Sequence, residues 1–207
     1  MADMFHIFPL GEVEANCYVI GNCETGEIVL IDPGLQPSDV IKFIQSEGLR
    51  VKYVINTHGH IDHMAGNREV LKAFKAPLCI HKLDSKYLED PTKNLSLLFG
   101  MPITSPRADI LLKEGQKLEL SDISFEIIHT PGHTPGSICI KTSNYILTGD
   151  TLFKASIGRT DIPGGDAEQL IRSIKERLLP LDRGLVIYPG HGPQSTLGEE
   201  IDSNPFL

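Results

Sequence analysis

Apolar positions in this 207-residue chain fall mostly into short runs that stop at glycine, proline or a turn-forming polar residue. Phe5-His6-Ile7-Phe8, Cys17-Tyr18-Val19-Ile20, Ile28-Val29-Leu30-Ile31 and Val51-Lys52-Tyr53-Val54-Ile55 are rich in β-branched and aromatic residues and too short for helices. Each predicts a strand. Residues 37–48 set Val40, Ile41, Phe43 and Ile44 at helical spacing and end on a glycine suited to a C-cap. A second helix is expected over residues 65–74, then the strand Leu78-Cys79-Ile80. Across 84–107 the pattern dissolves among Pro91, Gly100, Pro102 and Pro106, which predicts a helical piece and a surface loop placed to act as a lid. Strands resume at Ile110–Leu112, Lys117–Leu120, 124–128, 137–141 and 145–147. Residues 166–179 gather Leu170, Ile171, Ile174, Leu178 and Leu179 on one side of an amphipathic helix. A last buried strand, 185–188, and a short helix, 196–202, complete the order.

The strands thus form two blocks, each closed by helices, with no repeat, low-complexity tract or linker between them. Two packed sheets with helices outside satisfy such a pattern. The length suits one domain spanning 1–207 with a substantial core. A formal charge of −8 argues against a nucleic-acid backbone as partner. Met1-Ala2-Asp3-Met4 carries an acid where a signal peptide carries bases, and no apolar stretch approaches the ~18 residues of a membrane span. A cytoplasmic protein without membrane contact is expected, as a monomer or small homo-oligomer. Cys17, Cys23, Cys79 and Cys139 form no CxxC pair and read as free, mostly buried thiols.

One stretch does not fit ordinary packing. Thr57-His58-Gly59-His60-Ile61-Asp62-His63 follows directly on the strand 51–55. Imidazoles and a carboxylate crowded together are costly unless something positive sits among them. Helical ligands would recur at i and i+4. Here the spacing is i, i+2, i+4, i+5, which suits a turning loop that serves more than one centre, the plain alternative being a histidine-rich surface loop. Three later turns also follow strands and carry a ligand type between glycines and prolines: His129-Thr130-Pro131-Gly132-His133, Thr148-Gly149-Asp150-Thr151 and Pro189-Gly190-His191-Gly192. Such residues make stiff turns that hold one side chain at a strand end. The candidates are His58, His60, Asp62, His63, His133, Asp150 and His191. One ion cannot use seven ligands, whereas two ions sharing a carboxylate can.

The run HxHxDH followed by His, Asp and His in this order resembles the metallo-β-lactamase superfamily over nearly the whole chain. The resemblance implies an α/β fold, an αββα four-layer sandwich of two mixed β-sheets flanked by helices, with metals at the sheet rim. It also implies that His58, His60 and His133 hold one metal, that Asp62, His63 and His191 hold the other, and that Asp150 bridges. Asp32 matches a position that supports the site from behind the ligands, and reads equally as a turn residue. Gly149-Asp150-Thr151-Leu152-Phe153, Ile157-Gly158-Arg159-Thr160-Asp161 and Ser203-Asn204-Pro205-Phe206-Leu207 are similar to the short bacterial glyoxalase II-like (hydroxyacylglutathione hydrolase-like) branch. There a lysine stands where Arg159 does and contacts a glutathione carboxylate; an arginine can do so bidentately, or can pair with Asp161 or Asp166 instead. The tyrosines of the eukaryotic-type enzymes are replaced by Asp161 and Pro193, and no C-terminal helical glutathione-binding domain is expected.

The expected activity is therefore metal-dependent hydrolysis of an acyl-thiol such as S-D-lactoylglutathione by a metal-bridging hydroxide, with Asp62 and Asp150 catalytic and Arg159 binding substrate. The cofactors are two divalent ions, zinc first, with iron and manganese fitting the same donors. Persulfide dioxygenases share the Gly158-Arg159-Thr160-Asp161 run and use one iron at the positions of His58, His133 and Asp150. Lactonase and phosphodiesterase activities occur on the same fold. Phe99, Met101 and Ile103 read as pocket wall or sheet packing, His129 as a packed histidine near the site, and His6 and His81 as structural or exposed.

Overall fold

The protein is described here by a computed structural model covering residues 4–207. Its apolar runs build two six-stranded sheets. The first holds β1 (Met4–Leu10), β2 (Ala15–Asn22), β3 (Glu27–Ile31), β4 (Arg50–Ile55), β5 (Leu78–His81) and β6 (Ile110–Leu112) in chain order. The first three strands are antiparallel; β3 to β6 run parallel. Parallel neighbours need long crossovers. Here α1 (Ser38–Ser46), the short α2 (Ile61–Met64) with α3 (Asn67–Phe74), and the 84–107 segment supply them.

The second sheet contains β7 (Lys117–Leu120), β8 (Ile123–His129), β9 (Ile138–Lys141), β10 (Tyr145–Gly149), β13 (Val186–Pro189) and β14 (Ser195–Thr196). Only β10 and β13 pair in parallel. The intervening β11 (Leu152–Phe153) and β12 (Ser156–Ile157) form a separate small hairpin. Helix α4 (Ala167–Ser173) and the C-terminal α5 (Leu197–Ser203) cover the outer face.

Every position of β2 is buried because both its faces are covered. Cys17 and Val19 pack with Val40, Ile44 and Val70 beneath α1 and α3, whereas Tyr18 and Ile20 meet Leu120, Phe125 and Ile140 between the sheets. On the far side Cys139, Ile146 and Ile187 pack with Leu170, Ile174 and Leu197. Burying each large apolar side chain stabilises by roughly 1.5–3 kcal/mol. Three such clusters define the αββα layers, and explain why the central strands read as continuous apolar runs.

Several boundaries differ from the sequence pattern. Helix α3 starts at Asn67, not residue 65, because Ala65 closes the turn of α2 and Gly66 is the N-cap. Residues 166–179 begin as expected, with the Asp166 carboxylate accepting from Gln169 N–H, but widen into a π turn over Ile174–Leu178. Helix α5 is set by a capping box between Thr196 and Glu199. The 84–107 segment holds only 3₁₀ turns at Tyr87–Glu89 and Ser96–Phe99. Strands β11, β12 and β14, two residues each, are too short to leave a period in the sequence. Cys17, Cys79 and Cys139 are buried free thiols, and Cys23 is exposed. The expectation of no signal peptide rests on Met1, Ala2 and Asp3, which lie outside the described residues; among those described, no helix is long and apolar enough to cross a membrane.

Candidate metal centre

Parallel β3 and β4 end side by side at Ile31 and Ile55, and parallel β10 and β13 at Gly149 and Pro189. The turns after these strands therefore emerge on one rim. Two cross-sheet contacts join the rim: Ile138 N–H donates to the Thr57 carbonyl (2.9 Å) and Asn16 N–H to the Gly190 carbonyl (2.7 Å). All seven ligand candidates converge there. His58 and His60 come from an extended loop, as the spacing suggested, but Asp62 and His63 lie on the single turn of α2. His58, His60, His63 and His133 are each at most 2 % exposed, which removes the surface-loop alternative.

Four of the imidazoles have their outer nitrogen engaged. His133 Nδ1–H donates to the Arg159 carbonyl (2.8 Å), His191 Nδ1–H to the Val13 carbonyl (3.0 Å) and His63 Nδ1–H to Asp32 Oδ2 (3.0 Å). His58 Nδ1 faces Thr57 Oγ1 at 3.2 Å, and that hydroxyl donates to Asp32 Oδ2 at 2.6 Å. These contacts assign the outer proton to Nδ1 and turn Nε2 towards the centre. Asp32 also accepts from Thr57 N–H (2.7 Å) and takes a left-handed φ of +51° to do so. It is a support for the ligands, not only a turn residue.

The donor atoms of His58, His60 and His133 lie within 4.8 Å of one another, as do those of Asp62, His63 and His191, and those of His58, His63 and Asp150. Asp150 Oδ1 is 3.4 Å from His63 Nε2, and Oδ2 is 3.6 Å from His133 Nε2 and 3.7 Å from His191 Nε2. Its carboxylate thus faces both sets. His58 Nε2, His60 Nε2 and Asp150 Oδ1 are buried without a hydrogen-bond partner. Buried polar atoms are normally satisfied. His60 Nδ1 and His133 Nε2 approach to 2.9 Å, a contact that one proton or one cation between the two nitrogens satisfies. Three imidazoles facing one point, three more donors facing another, and a carboxylate between them are donor groups suited to divalent transition metals.

The electrostatics of the bare site agree. Burial holds the His58 and His60 imidazoles well below their ordinary pKa, helped for His58 by His63 and for His60 by His133. Burial alone would also lower His63, but Asp62, Asp150 and Asp32 outweigh it and raise it to about 10. Burial would raise Asp62, yet His63 and His191 pull it below the usual carboxylate range. Without a metal the carboxylates hold a proton on His63; a cation can take over that role.

Tertiary structure adds residues that no motif announced. Asp84 is fully buried, and its carboxylate accepts from Gly59 N–H (2.9 Å), Thr134 Oγ1–H (2.7 Å) and Gly136 N–H (2.7 Å). One side chain thereby ties the loop bearing His58 and His60 to the loop bearing His133. At Gly190 an added Cβ would fall 2.1 Å from Asp150 Oδ1 and 2.8 Å from His63 Cε1, so only glycine lets that turn pass so close. Arg159 reaches the site by its carbonyl, while its guanidinium is exposed and held bidentately by Asp161 (2.8 and 2.9 Å). His129 stacks on buried His81 at 4.0 Å and donates to the Pro135 carbonyl, and His6 lies exposed against Phe43. Phe99 and Met101 wall a cavity of about 600 Å³ whose floor includes His60, Asp62, His133 and His191. Ile103 is not among its lining residues and instead bonds through its backbone to Asn94 and Ser96.

Comparisons with known proteins agree with this architecture. Residues 10–191 match the family model of the metallo-beta-lactamase superfamily. The hydroxyacylglutathione hydrolase GloC of Haemophilus influenzae is 37 % identical over 97 % of this chain and 96 % of its own length. Among solved structures, the BLEG-1 B3 metallo-beta-lactamase superposes with a TM-score of 0.93 at 39 % identity, covering 99 % of both chains. TTHA1623 in a di-iron-bound form gives 0.86 at 35 % identity, covering 98 % of this chain and all of that one. ETHE1 from Myxococcus xanthus gives 0.83 at 26 % identity, covering 98 % of this chain and 83 % of that one.

Proposed function

This chain belongs to the metallo-beta-lactamase superfamily, and we propose that it is a two-metal thioester hydrolase of the glyoxalase II type. The observation that carries the reading is the pair of donor sets facing a shared carboxylate, Asp150, at the floor of one cavity. His58, His60 and His133 would hold one ion and Asp62, His63 and His191 the other. Two such ions would supply an acidified water and a Lewis acid for the substrate carbonyl.

The chain's own residues do the rest. Asp62, partly exposed and 3.1 Å from His191 Nε2, would orient the attacking water by accepting a hydrogen bond from it. Asp32, Thr57 and the Arg159 and Val13 carbonyls hold the imidazoles in one tautomer, so no reorganisation is needed during reaction. A thiolate, with a thiol pKa of about 8.5, leaves without a strong general acid. Asp161 takes only the Nε and one Nη2 hydrogen of the exposed Arg159 guanidinium, so its Nη1 edge would remain free to receive a carboxylate of the thiol carrier. The 37 % identity to GloC favours the thioester over other carbonyl substrates.

A second reading is a mononuclear iron persulfide dioxygenase, favoured by the likeness to ETHE1 and the Gly158-Arg159-Thr160-Asp161 run. The Asp62, His63 and His191 set argues against it, since a single-metal enzyme has no use for a second group of donors. Anaerobically purified protein should contain about two metals per chain, zinc first, and should hydrolyse S-D-lactoylglutathione or another thioester. One iron per chain with oxygen uptake on glutathione persulfide would establish the dioxygenase instead. A β-lactam belongs in the same panel because of the likeness to BLEG-1.

A further inference from the structure

The cavity above the candidate centre is lined chiefly by apolar side chains. Val13, Leu35, Phe99, Met101, Phe153 and Ile157 wall it, whereas Gln36 and Ser156 are minor uncharged polar lining. Apart from the donor residues, its lining charges are Glu12 and Arg159. Phe99 and Met101 are 61 % and 44 % exposed, an unusual state for two large apolar residues beside a polar floor. A lactoyl group, small and hydroxylated, would leave most of this wall wet.

Both halves of the wall are pinned to the site. Asn94 Nδ2–H₂ donates to the Tyr87 and Ile103 carbonyls, both at 3.0 Å, and the Asn94 carbonyl accepts from Ile61 N–H at 2.9 Å, between His60 and Asp62 in the chain. This fixes the base of the turn that carries Phe99 and Met101. On the other side buried Glu200 accepts from Ala155 N–H (2.8 Å) and Asn204 Nδ2–H₂ donates to the Ser156 carbonyl (3.0 Å), holding the β11–β12 hairpin with Phe153 and Ile157. An apolar wall held rigidly beside the reacting centre is a specificity pocket.

We propose that the acyl group of the substrate is an extended apolar one, a medium-chain or aromatic acyl, lying along the wall of Phe99, Met101, Phe153 and Ile157. The proposal rests on the thioester hydrolase reading and narrows it. Continuity of the wall with the floor that carries His60, Asp62 and Asp150 places the occupant in line with the chemistry. A methylene moved wholly from water to an apolar wall is worth about 0.8 kcal/mol, or about fourfold, and a half-covered one about twofold.

The test uses the full metal-loaded chain and two series from acetyl to octanoyl, with phenylacetyl added. One is the thioesters of N-acetylcysteamine, an uncharged carrier. The other is the matching ketones in which CH2 replaces sulfur, which cannot be hydrolysed and whose binding is read by calorimetry. Both kcat/KM and ketone affinity should rise twofold to fourfold per methylene, and phenylacetyl should exceed acetyl by at least tenfold. The double variant Phe99→Ser, Met101→Ser alters exposed side chains, so it should keep its melting temperature within a few degrees while flattening both series. Thioesters hydrolysed with a flat or falling series overturn the apolar acyl arm and leave the hydrolase standing. No thioester turnover, with ketone affinity still rising, removes the hydrolase reading instead. If the double variant keeps the chain-length dependence but turns an oligomer into a monomer, these residues cover a second copy of the chain and the proposal fails.

Discussion

Asp84 is the most exacting test of how the centre is held. Replacing it with asparagine keeps size and shape but converts one oxygen into a donor. With the remaining oxygen facing Gly59 N–H and Thr134 Oγ1–H, the new amide NH2 must face Gly136 N–H across the present 2.7 Å contact. One hydrogen bond to a charged group, worth about 1.5–3 kcal/mol, disappears, and a buried N–H is left unsatisfied at about 1–3 kcal/mol. Burial raises the Asp84 pKa, so its charge carries a cost that asparagine removes. The net loss should be about 2–4 kcal/mol. For a chain of this size each kcal/mol is worth roughly 2–4 °C, so the metal-free Asp84→Asn protein should melt about 4–16 °C lower. Because Gly59 lies between His58 and His60 and Thr134 follows His133, metal affinity should also fall, by the 10–100-fold typical of lost ligand support. Differential scanning calorimetry and competition with a chromophoric chelator read the two effects. An Asp84→Asn protein with unchanged melting temperature and metal affinity within twofold of the parent would refute the assignment of Asp84 as the tie between the histidine loops.

Gly190→Ala should push Asp150 and His63 apart, given the 2.1 and 2.8 Å approaches of the added Cβ, and metal analysis should find about one ion per chain fewer. Turnover should drop at least a hundredfold. Chelation should lower the melting temperature and added zinc should restore it; ion at 100 times its dissociation constant contributes about 2.7 kcal/mol. His81 is held near pKa 4 by burial, with His129 and Lys82 adding to the effect, against an ordinary 6.5. The folded state then binds fewer protons than the unfolded state between those values, so stability is complete above about pH 6.5 and declines as pH falls towards 4. His81→Phe should remove on the order of 2 kcal/mol of that decline, measured as the difference in urea midpoints between pH 7 and pH 5 in the metal-free protein.

The sequence by itself determined the donor types, their order and the strands that present them. Imidazoles and carboxylates between glycines and prolines, each after an apolar run, are locally encoded: the run buries, the turn stops it, and the ligand remains at the strand end. Local signals also set the amphipathic α1 and α4 and the capping box of α5. Only the tertiary structure decided which groups hold the ligands in place. The Val13 carbonyl that orients His191 is 178 residues away in the chain, and the Arg159 carbonyl that orients His133 is 26 away; a backbone carbonyl has no residue signature at all. Asp84 reads in the sequence as the first residue of an irregular segment, yet two histidine loops meeting on its carboxylate make it a buried anchor. Arg159 shares one edge of its guanidinium with Asp161, two residues on, and Phe99 and Met101 wall a pocket because their turn folds over the centre. The reason is range. Turn geometry and periodicity act over a few residues and are written along the chain, whereas desolvation and hydrogen-bond satisfaction depend on neighbours that only folding brings within a few ångströms.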